Sequence, residues 1–282
     1  MSRAEISYGK LEVPVHMVGV GPSGLLALDV SMEVLGQGFL ASYTQGDNRN
    51  VVATDTMKNV ILRHALEYDG ATPEGFLFTL GQRFLGRYPE MEGLRLWARE
   101  QPFAPVVVGA GPSDRLFSLR GGDHAVARLE LAQDGLVAAR CGQVGLRLLK
   151  TTGSAFTRFA RDDATTLPER ADRPLFIHLD VHWRYADPAD ALAADPARYV
   201  AAAQVRDVVA TVFHEFVSES IQHLVHQMGQ RLLERFPGLA EVSFAGENHT
   251  HDPVPGSDAA SERKAYTAAF PAWGLITLVL SR

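Results

Sequence analysis

Between Lys150 and Arg173 the chain reads KTTGSAFTRFARDDATTLPERADR, a stretch too polar for a core strand and too patterned for a linker. It holds an aromatic, Phe156, two Thr-Thr pairs, and two arginines beside acids: Arg161 before Asp162 and Asp163, and Arg173 after Asp172. An aromatic face plus a guanidinium fork is what a protein needs to hold a flat, anionic, hydrogen-bonding ring. A second chemistry-bearing run, Thr54-Asp55-Thr56-Met57-Lys58-Asn59, opens a segment of helical spacing. Thr54 or Asp55 reads there as the helix cap. A helix N-terminus carrying Thr and Asp is also a place for an anionic ligand or a held oxygen species, and the two uses are compatible.

Other constellations carry less. His178, Asp180 and His182 share one face of a strand, and His249-Thr250-His251-Asp252 follows later. Such groups could converge on a divalent metal, or form the exposed polar face of a strand. With no third ligand at a fixed spacing, no metal is assigned. His214, His223 and His226 have helical spacing and read as surface or interface residues. Gly19-Val20-Gly21-Pro22-Ser23-Gly24 matches the GxGxxG pattern of dinucleotide sites, but that fingerprint needs a helix to begin at the loop. The residues that follow alternate with period two, Leu26, Leu28, Val30, Met32 and Val34 against Ala27, Asp29, Ser31 and Glu33. The run is therefore expected to be a hairpin turn, and Gly109–Asp114 fails as a cofactor loop for the same reason. No Ser stands in a GxSxG turn.

The elements that must position these residues alternate in kind. Strands are predicted over 13–20 and 26–43, and helices over 55–68 and 73–87. Short strands follow at 106–108, 116–119, 125–131 and 145–149. A strand at 174–185, helices within 189–236, and strands at 240–245 and 275–280 then repeat the order. Strands, helices, strands, twice over, describe two copies of one α+β unit with a boundary near 135–151. Pro253–Ala259 is expected to be a surface loop.

With 282 residues, 46% of them hydrophobic and 21% charged, the chain can bury a proper core. A net charge of -6 without a basic block argues against nucleic acid and membrane surfaces as partners. Cys141 is alone, so no internal disulfide or thiolate cluster is possible. No signal-peptide pattern opens the chain, no segment offers the roughly 20 apolar residues of a membrane span, and the cytoplasm is the expected compartment.

Taken together, the residues resemble the urate oxidase (uricase) family. The resemblance is carried by Ser7-Tyr8-Gly9-Lys10, by Gly46-Asp47-Asn48 running into Thr54–Asn59, by the 150–173 block, by Trp183-Arg184-Tyr185 and by Gly274-Leu275-Ile276. It spans essentially the whole chain. It implies an α+β fold of two tandem tunnelling-fold (T-fold) units, antiparallel sheets with helices packed on one face, over residues 1–138 and 139–282. It also implies a homotetramer with active sites at subunit interfaces.

The implied reaction is oxidation of urate by O2 and water to 5-hydroxyisourate and hydrogen peroxide, without a cofactor. Phe156 would stack on the purine, Arg173 would fork onto the pyrimidine edge, and Gln222 would bond the opposite edge. Ile221 and Ile276 would shape the pocket. Asn248 would hold dioxygen or water above the ring with Thr54, Lys10 and Thr54 would relay protons, and Asp55 would contact the imidazole side. In the family Lys10, Thr54 and Asp55 reach the site from a neighbouring subunit. One departure stands out: where the family has Asn-Lys-His-His, this chain has Asn248-His249-Thr250-His251, so Thr250 takes the relay histidine's place. A hydroxyl can pass a proton but does not titrate near neutrality. The resemblance thus implies either a neighbouring histidine in that role, or an oxidase of another purine- or pterin-like ring.

Overall fold

The computed structural model describes residues 5–21, 23–109, 111–257 and 263–282. The chain divides into two compact units, one of residues 1–142 and 184–200, the other of residues 143–183 and 201–282.

In the first unit, β1 (Ser7–Val18) and β2 (Leu25–Leu35) form an antiparallel hairpin. The Gly-rich run between them is its turn: the Gly19 N–H donates to the Gly24 carbonyl at 2.8 Å, and Gly19, Gly21 and Gly24 all have positive φ. Only glycine reaches that region without penalty, which is why the run mimics a cofactor fingerprint. Pro22 lies outside the described residues, as does Ala110 of the second glycine run. The strand expected to reach Tyr43 stops at Leu35. Leu40–Thr44 instead forms one helical turn, α1, so that expectation fails there. Then come α2 (Thr54–Ala65), α3 (Pro73–Arg87), β3 (Gly93–Glu100), the β4 (Phe103–Val108) and β5 (Gly111–Leu119) ribbon, and β6 (His124–Ala132). The sheet order is β1-β2-β3-β6, with α2 against β1 and α3 against β3 and β6. β3 was not foreseen, although Leu94, Leu96 and Ala98 are buried and alternate with the less buried Arg95, Trp97 and Arg99.

β7 (Gly135–Lys150) runs out of the first unit and into the second. The second unit continues with β8 (Leu175–Tyr185), α4 (Ala202–Glu215), α5 (Ile221–Arg235), β9 (Leu239–His249) and β10 (Gly274–Ser281), and its strands lie in the order β7-β8-β9-β10. A short 3-10 helix, Pro188–Leu192, precedes α4. In β8, Leu175, Ile177, Leu179, Val181 and Trp183 are buried, while Phe176, His178, Asp180 and His182 fall on the other side.

Both units seat a helix on the sheet through a glycine. A Cβ on Gly81 of α3 would lie 2.8 Å from the Leu96 and Leu131 side chains, and one on Gly229 of α5 would lie 2.5 Å from Leu280. Leucine in α3 and α5 then fills the interface on either side of the close approach. The Pro253–Ala259 loop is described to Ser257, with Pro253 bridging to Tyr266; its last two residues lie outside the described residues.

Candidate active site

In the second unit the 150–173 stretch is an irregular loop folded on its own carboxylates. Asp172 accepts from the Gly153 N–H and the Thr152 hydroxyl, both at 2.7 Å, and these bonds outweigh partial burial to hold its carboxyl below the usual range. Phe156 and Arg170 exchange backbone hydrogen bonds at 2.8 and 3.0 Å, the Arg173 N–H donates to the Ser154 carbonyl at 2.8 Å, and Ala155 is tied to Ser218 at 2.7 Å. A loop so pinned can hold side chains with precision.

The two arginines each lie over a different phenylalanine. Arg161 donates to the Leu167 carbonyl at 3.3 Å and lies over Phe159, which in turn stacks on Phe156 with centroids 4.9 Å apart. Arg173 places its guanidinium 5.4 Å from the centroid of Phe156. Its Nε is buried without a partner, and burial, aided by the charge of Arg170, pulls its pKa down. Retaining a charge there costs free energy that an anion would return. Three further buried atoms of this unit lack partners among the described residues: Trp183 Nε1, Asn248 Oδ1 and His251 Nε2. Of these, a guanidinium donor, an amide acceptor and an imidazole nitrogen are thus left without partners by the described residues.

Ile221 and Gln222 open α5, whose cap is Ser220, accepting from the His223 N–H at 3.1 Å. Ile221 is buried and Gln222 exposed. β9 and β10 pair Asn248 with Gly274 and Gly246 with Ile276. A Cβ on Gly246 would approach Ile221 Cδ1 at 3.8 Å and the Ile276 carbonyl at 3.6 Å, so these three positions adjoin. A cavity of about 500 Å³ is bordered by Arg173, Thr250, His251 and Lys264; Phe156, Gln222 and Asn248 lie outside its wall.

The first unit holds Lys10, Thr54 and Asp55. Lys10 stands opposite Met32 at the start of a bulge that puts Glu12 at φ 54°, with the Glu12 N–H held by Ser31 Oγ at 2.9 Å. Thr54 and Asp55 are the first two residues of α2, but neither caps it: the cap is Ala53, which uses no side chain. The capping expectation is therefore wrong, and both side chains remain exposed at the helix start. Asp55 is paired with Lys58 and accepts from Asn59 at 3.2 Å; Lys58 first, and Lys10 more weakly, favour its ionised form.

The histidine clusters resolve differently from expectation. Asp180 accepts the Gly145 N–H at 2.7 Å, whereas His178 meets Glu247 and His249 of the neighbouring strand. Glu247 was missed because only the adjacency of β8 and β9 brings it to His178. His251 donates or accepts at Nδ1 with the Thr267 carbonyl at 2.7 Å; since a carbonyl only accepts, Nδ1 carries the hydrogen and Nε2 is left as the acceptor.

Two tandem β-β-α-α-β-β units, the second carrying an aromatic ring, an arginine whose Nε is unpartnered and an unpartnered amide oxygen among the described residues, define a T-fold protein. The chain belongs to the uricase family. The family described as Uricase matches residues 33–132 and 139–274. A uricase of Haloferax volcanii is 46% identical over 236 residues, covering 80% of this chain and 77% of that protein. The crystal structure of a uricase from Bacillus fastidious superposes with a TM-score of 0.93 at 36% identity, over 99% of this chain and 94% of that one. Urate oxidase from Bacillus sp. TB-90 gives 0.89 at 37% identity, over 98% and 99%. Among the described residues no helix is long and apolar enough to cross a membrane.

Proposed function

We propose that the chain catalyses the oxidation of urate by O2 and water to 5-hydroxyisourate and hydrogen peroxide. The observation that supports this is that Arg173 Nε, Asn248 Oδ1 and His251 Nε2 are among the buried atoms left without partners by the described residues, in the unit that also holds Phe156. Urate is a flat, electron-rich anion able to reduce dioxygen itself, so the protein need supply only binding, orientation and proton transfer. Phe156 stacks on the ring and Arg173 forks onto the anionic edge. Gln222, with both a donor and an acceptor, reads the amide-like opposite edge, and Ile221 and Ile276 close the apolar sides.

Asn248 holds dioxygen, and later water, over the ring. Lys10 and Thr54, with Asp55 on the imidazole side, come from a neighbouring subunit of a homotetramer. Urate and dioxygen give a peroxide adduct at C5; loss of hydrogen peroxide leaves an oxidised purine, and addition of water to it gives 5-hydroxyisourate. In place of a histidine at Thr250, His251 Nε2 accepts the proton, its tautomer set by Thr267. His249 is less suited, because its Nε2 is occupied by Glu247 at 2.9 Å and its ring by Trp273.

The test is a crystal structure with a urate analogue that resists oxidation. The reading requires the ring over Phe156 with Lys10 and Thr54 of the partner subunit within reach of its edge. A ring bound elsewhere, or a site closed within one subunit, would overturn it.

A further inference from the structure

The polar face of the second unit's sheet carries a cluster the urate chemistry does not use. His178 on β8 and Glu247 and His249 on β9 each offer one ligand atom, all three lying within 4.8 Å of one another. A single carboxylate oxygen, Glu247 Oε2, sits 3.2 Å from His178 Nδ1 and 2.9 Å from His249 Nε2. We propose that His178, Glu247 and His249 form a binding site for a divalent transition-metal ion, of which zinc and nickel are the natural occupants.

The donor set is two imidazoles and one carboxylate, the combination that binds zinc with a fourth position left to water. Bonds of about 2.0–2.2 Å at tetrahedral angles put neighbouring ligand atoms roughly 3.3 Å apart, close to the 3.2 and 2.9 Å that already separate Glu247 Oε2 from the two imidazole nitrogens. A cation would replace the protons that two rings now direct at one oxygen, and the carboxylate would neutralise half its charge. Imidazole ligands select zinc, nickel and their neighbours over magnesium or calcium.

The setting is that of a built site rather than a solvated face. Side-chain exposures are 26% for His178, 35% for Glu247 and 12% for His249. All three rise from adjacent strands, so their spacing is fixed by the sheet. Aromatic rings wall the cluster: Phe176 lies 5.0 Å from the His178 ring and 5.6 Å from that of His249, and Trp273 stacks on His249 at 5.8 Å. Such a shell limits water access and fixes ring orientation. The binding claim is independent of the reaction proposed above.

The experiment is titration of chelator-treated, dialysed full-length protein with zinc by calorimetry and with nickel by fluorescence, where quenching of Trp273 reports a paramagnetic ion beside His249. One ion per chain is expected, with Glu247→Gln and His178→Gln each weakening binding at least tenfold. His223→Gln, a histidine on α5 outside the cluster, should leave affinity unchanged. Melting curves of the metal-free variants check that they fold. Absence of one-to-one binding, or equal affinity in wild type, Glu247→Gln and His178→Gln, would overturn the proposal. So would loss of binding in His223→Gln alone.

Discussion

Replacing Arg173 by Met should cripple urate binding while making the protein more stable. In the free protein its Nε is buried without an acceptor, a situation that costs about 1–3 kcal/mol. Burial also pulls its pKa down, the mark of a charge held against the local environment. Met fills similar volume without a polar atom and keeps the backbone bond to Ser154. It forfeits the contact with Phe156 at 5.4 Å, worth about 0.5–1 kcal/mol. The balance is a gain of roughly 1 kcal/mol, or about 2–4 °C in Tm for a protein of this size. Against that, losing a forked, charge-assisted pair costs about 3 kcal/mol of urate binding, on the order of 10²-fold in KM. Thermal melts and urate kinetics on the same preparation measure both effects. A drop in Tm accompanying the loss of affinity would refute the reasoning, since Arg173 would then be a structural support.

Other perturbations follow the same logic. Lys10→Met should lower kcat by roughly 10²–10⁴ with little change in KM, as expected of a proton carrier, and steady-state kinetics would separate the two. His251→Gln should fall in the same range, and full activity in that variant would remove the imidazole from the relay. A Cβ at position 9 would fall onto the Met32 carbonyl, so Gly9→Ala should part β1 from β2 beside Lys10. The measurable outcome is a destabilisation of several kcal/mol by denaturant unfolding. Glu74 is 4% exposed, with Tyr199 Oη at 3.1 Å, and burial raises its pKa above the usual carboxylate value. Its contribution to stability is complete below its ordinary pKa of 4.5 and is lost as pH rises through the higher folded value. Glu74→Gln should therefore gain on the wild type between pH 4 and 8 in unfolding free energy, and parallel curves would contradict this.

Much of the fold could be read from periodicity. Phe76, Leu80 and Phe84 on one side, with Pro73 at the first helical position, specify α3 at both ends. Strict alternation specifies β8 from Leu175. Short segments defeated the same reasoning: Leu40–Thr44 is apolar enough to pass for the tail of a strand, and one helical turn shows no period of its own. The cap of α2 was misassigned because Ala53, with no side-chain acceptor, gives no signal. Phe156 and Arg173 were legible because the 150–173 loop concentrates them locally. The His178–Glu247–His249 cluster was not, because His178 and Glu247 stand 69 residues apart and meet only through strand order.

Turnover tests the central claim most directly. Purified, chelator-treated protein mixed with urate in air-saturated buffer should consume the urate absorbance band and release one hydrogen peroxide per urate, with 5-hydroxyisourate as the first product. Activity that appears only on adding a metal or an organic cofactor, or no consumption above the uncatalysed rate, would contradict the account.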